Sequence, residues 1–244
     1  MASSHADDDH LPAAMTPPSR VANDSLPGKR SRSLGTLAGV TGPLLLAAYF
    51  AAPALAGWPY AGTSPGKLTA YASAHRLLFY GGGWLQVTGA LLSITFFLVL
   101  LQFSGARGSV AGSAALTGCA LLISVVVVQA ALLEAVPVAA ANGDQATVAT
   151  AFALSNGAFT RVYPLAPAPL LFAGTGLALY GTDILPRAFA RSALVIAGLF
   201  LLAGITAVFS AAGLIFAIVM SVLEAVWTAA AAIALARTAA PQSR

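Results

Sequence analysis

Between Leu34 and Ala236 the chain is a succession of apolar stretches, and the short segments between them and at the two ends hold all of its Lys and Arg. An apolar run of about 20 residues is what a helix needs to cross the hydrocarbon core of a bilayer. The whole sequence of 244 residues is 58% apolar and only 8% charged, whereas soluble domains carry roughly 25% charged residues. A water-facing surface cannot be built from that supply, so the repeating unit is the membrane-crossing helix. Lipid offers the backbone no hydrogen-bond partners, and helices satisfy their own.

Six spans are expected, at 34–56, 77–103, 110–136, 163–181, 192–209 and 214–236. The fold class is therefore all-α, an integral membrane bundle of six transmembrane helices. Trp58 and Tyr60 follow the first span and suit an interfacial aromatic belt. That span also has a competing reading. Lys29 to Arg32, an apolar stretch and Ala54-Leu55-Ala56 resemble a signal peptide with its cleavage site, but the run exceeds the usual core of roughly 7 to 15 residues and lies behind a long tail, so retention is expected. The run from Ser192 to Ala236 is too long for one crossing, and Ser210-Ala211-Ala212-Gly213 is the best place for a turn within it.

Residues 1–33 are polar and rich in Ser, Pro and Asp, and read as a disordered tail; 238–244 form a second, short one. Two longer connections have helical signals of their own. Ser64-Pro65 supplies a cap and a first-turn proline ahead of Leu68, Tyr71 and His75. Asn142-Gly143-Asp144 can start, and Asn156-Gly157 can stop, a helix with Val148, Ala151 and Phe152 on one side. Both are expected as short interfacial helices. Pro164, Pro167 and Pro169 should distort the start of the fourth span.

Charge gives an orientation. With the tail inside, Arg20, Lys29, Arg30, Arg32, Arg107, Arg187, Arg191, Arg237 and Arg244 fall on the cytoplasmic side, and Lys67, Arg76 and Arg161 outside. Nine against three agrees with the positive-inside rule and puts both termini in the cytoplasm of a plasma-membrane protein. The formal charge of +4 is spread along span edges, which argues against nucleic acid as a partner.

Polar residues in the spans are the candidates for function. Glu224 lies about ten residues into the sixth span, close to the midplane at about 1.5 Å per residue. A carboxylate there is expensive, and an ionisable residue inside the membrane is a functional-site hypothesis by default. Ser221, Glu224 and Thr228 share one helix stripe. Gln86 in the second span and Gln129 in the third complete a candidate intramembrane site. Gly82, Gly83, Gln86, Gly89, Ala90 and Ser93 form a small-residue face that admits a close neighbour, so a hydrogen bond from Gln86 to Glu224 is expected. The competing reading is that a protonated Glu224 simply joins helices. Nearer the outer surface, His75, Arg76, Glu134, Asp144 and Arg161 come from helix ends and loops; an ion pair of Arg76 or Arg161 with Glu134 would pin the outer loops, with interfacial snorkelling of the rest. The alternative is that the group forms the mouth of a binding cavity floored by Gln86, Gln129 and Glu224.

No cofactor is implied, and the chemistry of enzymes is poorly represented. The motifs HExxH, GxSxG and a Walker loop are absent, and the spans hold neither His nor Asp. The single cysteine, Cys119, rules out an intrachain disulfide. His5 and His10 beside Asp7, Asp8 and Asp9 read as solvated tail, and no metal site is assigned. Glu134, Asp144 and Asp183 are scattered over both sides, with no acidic pair to hold a magnesium diphosphate. The expectation is a protein without catalytic activity.

His75-Arg76 opening a glycine-rich helix, and Leu185-Pro186-Arg187 ahead of a helix with Ala197-Gly198, resemble small six-helix bacterial membrane proteins of unknown function over most of residues 34–236. High Ala with low Lys resembles products of GC-rich, actinobacterial-type genomes. The resemblance implies the six-helix fold and carries no catalytic residue across. The expected partners are the lipid bilayer and a small-molecule ligand or proton. The alternative is a membrane scaffold or sensor that binds a protein partner or a second copy of itself.

Overall fold

A computed structural model describes residues 25–59, 62–210 and 212–238, and among the described residues regular structure is helical throughout. In order these helices are α1 (Ser25–Leu55), α2 (Pro65–Ala74), α3 (Arg76–Phe103), α4 (Val110–Ala141), α5 (Gln145–Gly157), α6 (Tyr163–Leu165), α7 (Pro167–Leu179), α8 (Arg187–Phe209) and α9 (Ala212–Arg237). Six stretches are long and apolar enough to cross a membrane: Arg30–Ala51, Arg76–Phe103, Val110–Ala141, Gln145–Leu179, Arg187–Phe209 and Ile215–Arg237. The chain is a multi-pass helical membrane protein.

Local chemistry explains most helix ends. Ser109 caps α4, its hydroxyl accepting from the Gly112 N–H at 3.0 Å. Asp144 caps α5, accepting from the Thr147 N–H at 3.0 Å. Gly143, at φ 70°, supplies the left-handed turn between α4 and α5. Pro65 sits in the first turn of α2 behind Ser64, whose side chain makes no cap bond. α8 stops at Phe209, where Ser210 is extended.

Four boundaries differ from the sequence reading. α8 starts at Arg187 and not at Ser192. α1 starts at Ser25, so 25–33, expected as tail, prolong the first helix; Arg32 lies 4.8 Å from the centroid of the Phe103 ring, which ties this polar turn to α3. α4 runs through Pro137 to Ala141, because buried contacts of Val136, Ala139 and Ala140 with a second small core hold the last turns in place. α5 ends at Gly157 as expected, but no loop follows it: the backbone passes through a wide turn over 158–162, in which the Tyr163 N–H bonds to the Ala158 carbonyl, and continues into α6 and α7. The expectations for residues 1–24, Tyr60, Ala61, Ala211 and 239–244 lie outside the described residues.

The helices close into a ring. α1 contacts α3 and α9, α3 contacts α4, α4 contacts α5 and α7, α7 contacts α8, and α8 contacts α9. The closest approaches are made by glycines. A Cβ on Gly118 would lie 2.4 Å from the Leu171 backbone nitrogen, and one on Gly174 would lie 2.4 Å from that of Ala115, so α4 and α7 meet backbone to backbone. A Cβ on Gly42 would lie 2.7 Å from the Ser93 nitrogen and 2.8 Å from the Gly89 oxygen. The small-residue groove of α3 therefore receives α1, and not the helix of Glu224.

Arg32, Arg107, Arg187, Arg191 and Arg237 gather at one end of the ring, where α1 meets the close of α9 at Gly39 and Ala232. In that half the centre is filled by rings: Phe97, Phe172, Phe200 and Trp227 contact one another, and the Trp227 indole donates to Ser192 Oγ at 2.9 Å. At the far end, Leu68 of α2, Leu133 of α4, and Val148 and Phe152 of α5 form a separate small core, against which Trp58 packs.

Replacing Gly118 or Gly174 with Val should lower the stability of the detergent-solubilised chain by roughly 1–3 kcal/mol, the usual range for overpacking. Gly198→Ala, into open space, should leave the thermal midpoint unchanged, and equal losses at all three positions would contradict the backbone contact. The Thr147 hydroxyl and N–H hold the Asp144 carboxyl below its usual range. Its folded form is thus favoured when ionised, so the cap contributes above the unfolded pKa and is lost as pH falls through the depressed value. Amide exchange should show the first turn of α5 losing protection at low pH in the native chain, and no such pH response in Asp144→Ala.

Candidate functional site

α5 descends antiparallel to α4, close enough for the Ser155 hydroxyl to donate to the Gln129 carbonyl at 3.3 Å. The wide turn after it, and Pro164 behind it, change the direction in which the next side chains point. Tyr163, immediately after that turn, is directed into the ring. Its ring stacks on Phe159 with centroids 6.4 Å apart and meets Phe200 edge-on at 5.4 Å. Its hydroxyl donates to Glu224 Oε2.

Above the aromatic centre lies an open cavity of about 570 Å³, bounded by α1, α3, α4, the turn at 158–162 and α9. Its walls are chiefly aliphatic and aromatic. The polar side chains on it include Gln86, Ser93, Gln129, Tyr163, Ser221, Glu224 and Thr228. All five residues of the expected intramembrane site therefore border one space. Gln86 is 4% exposed and Glu224 9%, so both have been removed from bulk solvent. Ser221 turns its hydroxyl back to the Ala217 carbonyl at 2.9 Å.

The hydrogen bond expected between Gln86 and Glu224 is not formed. Gln86 Oε1 and Ser93 Oγ are buried without a hydrogen-bond partner among the described residues, and the carboxylate is met by Tyr163 instead. The reason lies in the packing order: α1 occupies the groove of α3, which keeps the α3 amide and the α9 carboxylate on different walls of the cavity. Tyr163 and Ser93 are the site residues that sequence reading missed. Ser93 carried a signal, since it belongs to the same small-residue face as Gln86. Tyr163 stands beside Pro164 at the expected start of a span, where an interfacial tyrosine is the ordinary reading.

The expected outer charged group is not assembled. No ion pair joins His75, Arg76, Glu134, Asp144 or Arg161 to an opposite charge among the described residues. Glu134 lies against α3, with Oε1 2.6 Å from where a Cβ on Gly83 would be, while Arg76 and Arg161 are exposed. His75 stacks on Tyr71 with centroids 4.2 Å apart, and its Nδ1 is 3.1 Å from the Tyr71 carbonyl. Partial burial raises the Tyr71 phenol above its ordinary pKa, so it stays a neutral donor to the Ala56 carbonyl at 3.1 Å.

Among the described residues no three His, Cys, Asp or Glu side chains gather in one place. The cavity offers hydrogen-bond acceptors, a carboxyl group and apolar walls. Comparison of the chain with protein-family models, with curated proteins and with solved structures finds no match.

Tyr163→Phe removes the hydroxyl from a buried interhelical bond and should lower stability by roughly 1 kcal/mol or more. Thermal unfolding of the wild type, Tyr163→Phe, Glu224→Leu and the double variant should show strong non-additivity, because either change breaks the same bond. Additive losses would mean that the two side chains do not interact.

Proposed function

We propose that this protein binds, and carries across a bacterial plasma membrane, a small molecule or proton at Glu224, acting without catalysis. The observation that carries the reading is the cavity of about 570 Å³ bordered by Glu224, Gln86 and Gln129. Ligand pockets span roughly 300–1,000 Å³ and combine apolar walls with a few convergent polar groups. A side chain that merely joined helices would be expected in close packing. Glu224 instead borders open space, with one carboxyl oxygen bonded by Tyr163 and the other without a hydrogen bond among the described residues. The gathering of basic residues at one end of the ring supports an orientation with both termini in the cytoplasm. The aromatic centre would then lie on the cytoplasmic side of the cavity, so transport would require those rings to move.

Glu224→Gln and Glu224→Leu test the reading in proteoliposomes with an entrapped pH dye, alongside thermal-shift titration against apolar small molecules. The wild type should show proton flux above empty vesicles or a saturable thermal shift, with both responses lost in Glu224→Leu. Glu224→Gln should keep the fold and lose proton coupling. If both variants match the wild type and Glu224→Leu only unfolds at a lower temperature, Glu224 is a structural residue.

A further inference from the structure

α1 and α9 touch at Gly39 and Ala232, and from Val40 and Ala229 onward the space between them is occupied by the cavity. Several residues on its rim are also exposed on the outside of the ring, among them Leu44 at 63%, Val222 at 53% and Val226 at 61%. In a chain of this composition that outside face meets lipid. The cavity thus opens sideways toward the bilayer, between two helices whose exposed rim residues Leu44, Val222 and Val226 are apolar.

The charge inside is one-sided. Glu224 is the sole charged side chain on the cavity wall among the described residues, and no Lys, Arg or His borders it. Among the described residues Gln86 Oε1 is a buried acceptor without a partner, and Glu224 retains an oxygen to which nothing donates. Leaving such acceptors empty is unfavourable, and a bare carboxylate in the membrane requires a compensating positive charge or a proton. A molecule that fills this space should carry N–H donors and a positive charge on an apolar body. Phe50 and Phe159 on the wall add ring faces suited to a cation.

We infer that the cavity takes a lipophilic amine in its protonated form, admitted from the bilayer between α1 and α9, with its ammonium group directed to Glu224. This rests on the reading of the cavity as a binding site. An ammonium and a proton neutralise the same carboxylate, so each displaces the other.

The test uses the full chain in nanodiscs of phosphatidylcholine, with binding of phenylbutylamine, phenylbutanol and phenylbutyrate measured by equilibrium dialysis against empty nanodiscs. The amine should bind saturably and at least about tenfold more tightly than the alcohol, the scale of one charge-assisted hydrogen bond, and the carboxylate should not bind. Glu224→Gln, which still offers Tyr163 an acceptor, should reduce amine affinity about tenfold, to the level of the alcohol. Ala47→Trp and, on the opposite rim, Val222→Trp should slow association of the amine by about tenfold or more if the lateral route is correct; unchanged association in whichever of these variants folds overturns that route. Saturable binding of alcohol and amine with equal affinity overturns the amine assignment and leaves the binding site standing. No saturable binding of any probe to folded wild type overturns the site itself.

Discussion

In a bilayer the outside of a helix bundle is as apolar as its inside, so helices gain little from hiding apolar surface against each other. Association then depends on how closely backbones approach and on the few interhelical hydrogen bonds available. Gly118 and Gly174 set the approach of α4 to α7, and Gly42 and Gly89 that of α1 to α3. These contacts fix the order of helices around the ring. The character of the interior follows from that order, since it decides which side chains share the central space.

The fourth crossing departs furthest from a regular helix, and the departure has a use. A straight helix from Gln145 to Leu179 would run about 52 Å at about 1.5 Å per residue, well beyond the roughly 30 Å of hydrocarbon. The wide turn at 158–162 and the prolines after it break this length into two parts with different tasks. The first covers α4 and builds the small far-end core with α2. The second packs against α4 at Gly174 and against α8 at Gly176. Tyr163 stands at the junction, where the change of direction brings a phenol from the wall of the ring to its centre.

The interior is divided by depth. Toward the basic end, Phe97, Phe172, Phe200 and Trp227 fill the centre with interlocking rings, the indole N–H is bonded to Ser192, and the Thr175 hydroxyl of α7 is buried without a partner among the described residues. Toward the other end the same ring of helices surrounds open space, with the buried acceptors of Gln86 and Ser93 and the carboxyl of Glu224 on its walls. A protein under selection for stability alone would be expected to fill that space with aliphatic side chains. Retention of acceptors without partners beside a carboxyl group is the feature that directs attention to a ligand.

What the sequence by itself determined was the number and nature of the crossings, the turn near Ser210, and the set of polar residues placed at mid-depth. Each depends on local properties: the length of an apolar run, a capping side chain, or the position of a residue within its span. Which partner each polar residue meets was decided by the tertiary structure alone. Helix rotation in lipid is set by interhelical contact and leaves only a weak trace in apolar periodicity, because both faces are apolar. For that reason Glu224 could be singled out from its position. Its bond to Tyr163, the occupation of the α3 groove by α1, the missing outer ion pairs and the cavity itself had to await the packing of the ring.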